Sequence, residues 1–183
     1  MLPKDERHLL KKIARDAISY GLKYDEVMPV ELTVLPASFT QPGACFVTLY
    51  RSGALRGCIG SLKALQPLAV DVAENAYSAA FRDCRFKPVE ESVLSELDIH
   101  IAILTPVNEI ACTSERDLLA QLRPGIDGLI IEDKEHRATF LPAVWESLPN
   151  PERFVRELKC KAGLASDYWS AQIHCYRYQV ESF

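Results

Sequence analysis

From Lys4 to about Leu22, apolar residues recur at helical spacing: Leu9, Leu10, Ile13, Ala14, Ala17 and Ile18 form one stripe, with Lys11, Lys12, Arg15 and Asp16 opposite. This pattern predicts an amphipathic helix with one buried side. Gly21 lies near its end, and Pro29, Pro36 and Pro42-Gly43 then punctuate an irregular, extended passage. Two strand-like runs follow, Cys45 to Arg51 and Leu55 to Leu62, separated by Ser52-Gly53-Ala54. A three-residue connection containing glycine predicts a hairpin. Pro67 suits the first position of a second helix, whose apolar stripe runs through Leu68, Val72, Ala73, Ala76, Tyr77, Ala80 and Phe81.

Asp83-Cys84-Arg85-Phe86-Lys87-Pro88 breaks that helix, and a short helical turn is expected around Glu90 to Leu94. Leu97 to Leu104 alternates as a half-buried strand does, which places Asp98 and His100 on one face. Ser114 begins a capping-box-like helix that stops at Pro124-Gly125. A second hairpin is expected around Asp133 to His136, then a helical turn from Pro142. A helix capped by Asn150-Pro151 and closed by Gly163 follows. The run from Ala171 to Val180 reads as a closing strand. Hairpins and helices are interspersed without regular alternation, which predicts an α+β fold with a mainly antiparallel sheet.

Composition narrows the function classes. The 183 residues and 48% hydrophobic content suit one domain with a real core. A net charge of -4 lacks the basic excess of a general nucleic-acid surface. The amino-terminal residues are too charged for the apolar core of a signal peptide, and no apolar run is long enough to span a membrane. A cytoplasmic location is expected. The six cysteines, Cys45, Cys58, Cys84, Cys112, Cys160 and Cys175, form no C-x-x-C pair, and no histidines or carboxylates cluster at ligand spacing, so no metal site is expected; no motif calls for a cofactor. The default for each except Cys58 is a small buried hydrophobe.

The exception is Leu55-Arg56-Gly57-Cys58-Ile59-Gly60-Ser61. With strict alternation, Leu55, Gly57 and Ile59 face a core while Arg56, Cys58 and Gly60 share the other surface. A guanidinium near a thiol favours the thiolate, and glycine in a strand marks a bulge or a close approach to the backbone.

This motif and four others resemble the AMMECR domain family, whose prokaryotic members are called AmmeMemoRadiSam system protein A. The others are Phe81-Arg82-Asp83-Cys84-Arg85-Phe86, Ile101-Ala102-Ile103-Leu104-Thr105-Pro106, Thr139-Phe140-Leu141-Pro142 and Lys161-Ala162-Gly163-Leu164. They run in family order from about Phe46 to the carboxyl end. The resemblance implies a single AMMECR-type domain over residues 1–183, an antiparallel sheet flanked by helices with a smaller subdomain alongside, and a cleft lined by the glycine motif. It also implies the company of a Memo-like protein and a radical S-adenosylmethionine enzyme, without naming a reaction. Cys84 stands where relatives usually have proline, and the position of His100 is often acidic in relatives.

Two function classes follow. In one, the chain is a binding module in which Arg56, Gly57, Gly60 and Arg85 hold a small anionic ligand. In the other, it is an enzyme with Cys58 as nucleophile or acid-base thiol and His100 as its base. The plainer alternatives are an ion-paired Arg56, a space-filling Cys58, glycines that permit close packing, an Arg85 that satisfies loop carbonyls, and a structural His100. His8, His136 and His174, in a helix, a turn and a terminal strand, rank below His100 as candidates, and Trp145, Trp169, Tyr176 and Tyr178 read as core or rim aromatics.

Overall fold

The computed structural model describes residues 1–183. In chain order the elements are α1 (Lys4–Tyr24), α2 (Ala37–Thr40), β1 (Pro42–Gly43), β2 (Cys45–Arg51), β3 (Ala54–Gly60), β4 (Gln66–Pro67), α3 (Leu68–Phe81), β5 (Leu97–Leu104), β6 (Asn108–Ile110), α4 (Glu115–Gln121), β7 (Gly128–Asp133), β8 (His136–Phe140), α5 (Pro151–Lys161), β9 (His174–Tyr178) and β10 (Val180–Ser182). Two 3-10 turns, Glu91–Glu96 and Pro142–Glu146, complete the set. The fold is α+β, and it divides into two compact units, Met1–Leu104 with Glu181–Phe183, and Thr105–Val180. No helix is long and apolar enough to cross a membrane.

In the first unit a four-stranded sheet has the order β10-β5-β2-β3, with β2 antiparallel to both of its neighbours. One face of this sheet carries Val47, Leu49, Ile99 and Ile101, and against it pack the α1 stripe (Leu10, Ile13, Ala14, Ala17, Ile18) and the small residues of α3 (Ala69, Ala73, Ala76, Ala80). Alanine suits α3 because the helix is buried against both α1 and the sheet, and small side chains let it approach each closely. The outermost strand comes from the far end of the chain: Ile101 and Phe183 exchange both backbone hydrogen bonds, at 2.9 and 3.1 Å.

A buried polar knot fastens α3 to the strands. The Asp71 carboxylate accepts from Cys45 N (2.8 Å), Ser61 Oγ (2.6 Å) and Asn75 Nδ2 (3.0 Å). Burial beside this carboxylate pushes the Cys45 thiol well up.

In the second unit four antiparallel strands run in the order β6-β9-β7-β8. Leu118, Leu129, Ile131, Phe154, Val155 and Leu158 form its core, with the Trp145 and Phe154 rings stacked 3.7 Å apart. Both expected caps are present: Ser114 Oγ accepts from Asp117 N, and Asn150 Oδ1 from Arg153 N. Lys159 is fully buried, and its ammonium donates to Glu115 Oε2 (2.6 Å) and Tyr168 O (3.3 Å).

The expected antiparallel pairing is distributed over two four-stranded sheets and a two-stranded ladder. Two other expectations change. The closing run splits at Gln179, where the chain pairs with Thr105 instead of continuing a ladder, so β9 and β10 lie in different sheets. Cys84 and Cys160 are exposed, because one sits in the loop after α3 and the other on the outer side of α5, whereas Cys45 and Cys175 are buried as expected.

Replacing Asp71 with alanine orphans the Cys45 amide inside the core and leaves the Asn75 side chain only its longer bonds to Cys45 O and Ser61 Oγ. The expected loss is about 2–3 kcal/mol of unfolding free energy, measured by urea denaturation.

Candidate functional site

The hairpin that carries the glycine motif is tighter than its sequence predicts. Ser52 (φ 51°) and Gly53 (φ 78°) form a two-residue turn between the paired Arg51 and Ala54. Positive φ at both central positions is what a two-residue hairpin of this twist requires. The register then shifts: Tyr50 pairs with Leu55 but Leu49 with Gly57, which leaves Arg56 as an unpaired bulge residue.

The bulge corrects the expected faces. Leu55 lies on the side of Tyr50, not in the core, and is 41% exposed. Beyond the bulge, Gly57 and Ile59 lie on the core side with Leu49 and Val47, while Cys58 and Gly60 lie on the open side with Thr48 and Phe46. Arg56, displaced from the alternation, does not share a face with Cys58. Its Nη2 donates to the carbonyls of Lys87 and Pro88, its Nη1 is buried without a partner, and it forms no ion pair.

Packing accounts for both glycines. A Cβ on Gly57 would lie 2.1 Å from the Ala79 carbonyl oxygen of α3, and one on Gly60 would lie 2.3 Å from the Phe46 ring. Gly57 therefore lets the sheet and α3 meet backbone to backbone. Phe46 covers the space that a side chain on Gly60 would need.

The loop after α3 seals the edge of β3 with side chains. Asp83 is buried, and its Oδ2 accepts from Cys58 N at 2.9 Å, as a neighbouring strand's carbonyl would. Arg85 supplies the complementary donor, Nη2 to Cys58 O at 3.2 Å. It also grips Asp83 through Nε to Oδ1 (2.9 Å) and Nη2 to Oδ2 (2.6 Å). Asp83 is held far below the usual carboxylate range, first by the Arg85 guanidinium, and further by the Cys58 and Arg85 amides, against the opposing effect of burial. Arg85 Nη1 takes no part in these bonds, and the side chain is 54% exposed.

The open face holds the chemistry-bearing side chains in one rung. Thr48 pairs with Cys58 on one side and with His100 on the other. Thr48 Oγ1 and Cys58 Sγ are hydrogen-bonded at 3.2 Å. His100 Nε2 meets Asp98 Oδ2 at 2.8 Å, which holds the Asp98 carboxyl below its ordinary range, and the ring packs edge-on against Tyr50 at 5.1 Å. The two expected catalytic residues thus share a face and a rung but sit two strands apart, with Thr48 between them. Neighbouring strands lie about 4.8 Å apart, so His100 does not contact the thiol.

Asp83 and Thr48 escape a reading by residue type. Asp83 sits two residues before an arginine in a loop, a local ion-pair signal, but its bond to Cys58 joins positions far apart in sequence. Thr48 becomes visible only once the hairpin register is known.

The family model described as AMMECR1 matches residues 11–183. The chain belongs to the AMMECR1 family. A protein of Methanothermobacter thermautotrophicus is 36% identical over all of this chain and 95% of its own length. Protein MJ0810 of Methanocaldococcus jannaschii is 35% identical over 81% of this chain and 76% of its own. The crystal structure of uncharacterized protein PH0010 from Pyrococcus horikoshii is similar with a TM-score of 0.86 at 29% identity, covering 99% of this chain and 92% of that one. The fold of this AMMECR1 domain is therefore that of its family, and the family name carries no reaction.

Asp83 makes stability depend on acid. Its folded-state acidity is raised, so its contribution is complete above the unfolded value near pH 4 and is lost as pH falls from there towards the folded value. Asp83→Asn is expected to cost about 2–3 kcal/mol at pH 7 and to flatten the fall in stability below about pH 4, as read from urea unfolding between pH 7 and pH 2.5.

Proposed function

We propose that this AMMECR1 domain is a binding module whose ligand is a small anion seated on the open face of the first unit's sheet, beside Cys58. The observation that carries this reading is Arg85. Its guanidinium is locked by a buried carboxylate and a strand carbonyl, yet it remains half exposed with Nη1 uncommitted. A cation fixed in advance loses little conformational freedom when an anion arrives. The surrounding charge agrees: Arg56 has no carboxylate partner, and Arg82, Arg85 and Lys87 follow one another in the loop around a single acid, Asp83. The glycines enter this reading only through packing, and Arg56 through the loop it holds. From the family resemblance we take the partners: a Memo-like protein and a radical S-adenosylmethionine enzyme, working in the cytoplasm.

Paired alkylating reagents test the anion preference. Iodoacetate and iodoacetamide differ chiefly in charge, so the ratio of their rates at Cys58, read by mass spectrometry, reports the local cation. One charge at 4 Å is worth about 1 kcal/mol in water, so the ratio is expected to fall about fivefold in Arg85→Gln, with Cys160 unchanged. An unchanged ratio at Cys58 overturns the reading.

The rung of Cys58, Thr48 and His100 favours a second reading, in which Cys58 is the nucleophile or acid-base thiol of an enzyme. Here Thr48 relays a proton between the thiol and the imidazole that Asp98 orients. It requires that Thr48→Val and His100→Asn each slow iodoacetamide labelling of Cys58 at pH 7. The binding reading leaves both variants at the wild-type rate.

A further inference from the structure

The second unit has a cavity of about 240 Å³ lined by Thr105, Asn108, Arg123, Asp127, Arg177 and Gln179, among others. Two arginines in one cavity of this size need an account of their charge. Arg123 is settled within the chain. The turn it begins is closed by Ile126 N and Asp127 N, both 3.1 Å from Arg123 O. The fully buried Asp127 carboxylate accepts from Arg123 N (3.0 Å), Nε (3.1 Å) and Nη2 (2.6 Å). Asp127 is thereby neutralised by one guanidinium, and Arg123 Nη1 is left over.

Arg177 is not settled. It pairs with Asn108 of β6 on one side and Leu129 of β7 on the other, so it lies on the side of the sheet that carries Leu129 and Cys175. Its one hydrogen bond within the chain is Nη1 to the Gln121 carbonyl, at 3.3 Å, and it forms no ion pair. Nε and Nη2 are unspent. Thr105 adds a further donor, because its Oγ1 accepts from Gln179 N at 2.8 Å and keeps its own proton for another partner. Asn108 commits its Nδ2 to Pro106 O and leaves its carbonyl oxygen unbonded.

The cavity therefore holds two cations against one anion, with unspent donors on both guanidiniums and on a hydroxyl, and one amide acceptor beside them. A carboxylate cancels the net charge of one. A phosphate dianion would overshoot it. We infer that this cavity is a binding site for the carboxylate of a small polar organic acid, with Arg177 as the main cation, Arg123 Nη1 and Thr105 as further donors, and Asn108 reading a donor group on the same molecule. The inference stands on the second unit alone and does not depend on the proposed role of Cys58 and Arg85.

Titration of the 15N-labelled full chain with acetate and propionate, followed by amide and arginine Nε shifts, tests it. The two acids have few atoms, so affinities in about the millimolar range are expected. Saturable shifts should centre on Thr105, Asn108, Arg177 and Gln179. Arg177→Gln should weaken them about tenfold or more, as loss of a charge-assisted bond does, while Arg177→Lys retains part of the binding. The inference fails if chloride at matched ionic strength gives the same shifts, if acetate and propionate give none there, or if Arg177→Gln folds and binds as the wild type does. Tighter binding of inorganic phosphate than of acetate overturns the carboxylate assignment. Should Arg177→Gln not fold, the wild-type comparison of acetate, chloride and phosphate decides by itself.

Discussion

The buried carboxylate of Asp83 is the constraint on which the Cys58 region rests. An edge strand has a row of unpaired amides and carbonyls that must be covered or satisfied. Here a carboxylate takes the Cys58 amide and a guanidinium takes the Cys58 carbonyl, while the same two side chains bind each other. The loop after α3 thus behaves as a one-residue strand made of side chains. Its second anchor is Arg56, whose bulged position aims it at Lys87 and Pro88. Cys58 is fixed by its backbone, which leaves its sulfur free to face Thr48 on the open side.

Much of the fold was legible because its signals are local. The stripe on α1, the alternation of β5 and the capping residues Ser114 and Asn150 each specify structure within a few residues. What escaped was non-local. Nothing near Arg56 announces that it falls outside the ladder; the cause is the pairing with Leu49 and Tyr50 on the other arm. That single unpaired residue moves Leu55 to the other face and separates Arg56 from Cys58. Arg85 and its neighbour Asp83 could be picked out in their loop, whereas the bond that ties Asp83 to Cys58, and the threonine that separates Cys58 from His100, are visible only in the folded chain.

The two glycines show how one residue type can point to function for a structural reason. Gly57 and Gly60 stand in the motif because a helix backbone and an aromatic ring occupy the places where side chains would go. The consequence for function is indirect: Gly57 lets α3 lie close enough for the loop that follows it to reach the edge of β3, and Gly60 makes room for the Phe46 ring on the open face.

The outer strand of the first unit's sheet has a consequence for how the protein is made. Ile101 exchanges its backbone hydrogen bonds with Phe183, so the sheet keeps a raw edge on β5 while the ribosome synthesises the whole of Thr105–Val180. During vectorial synthesis the nascent first unit is therefore the one that offers a bare strand to chaperones or to a neighbouring chain.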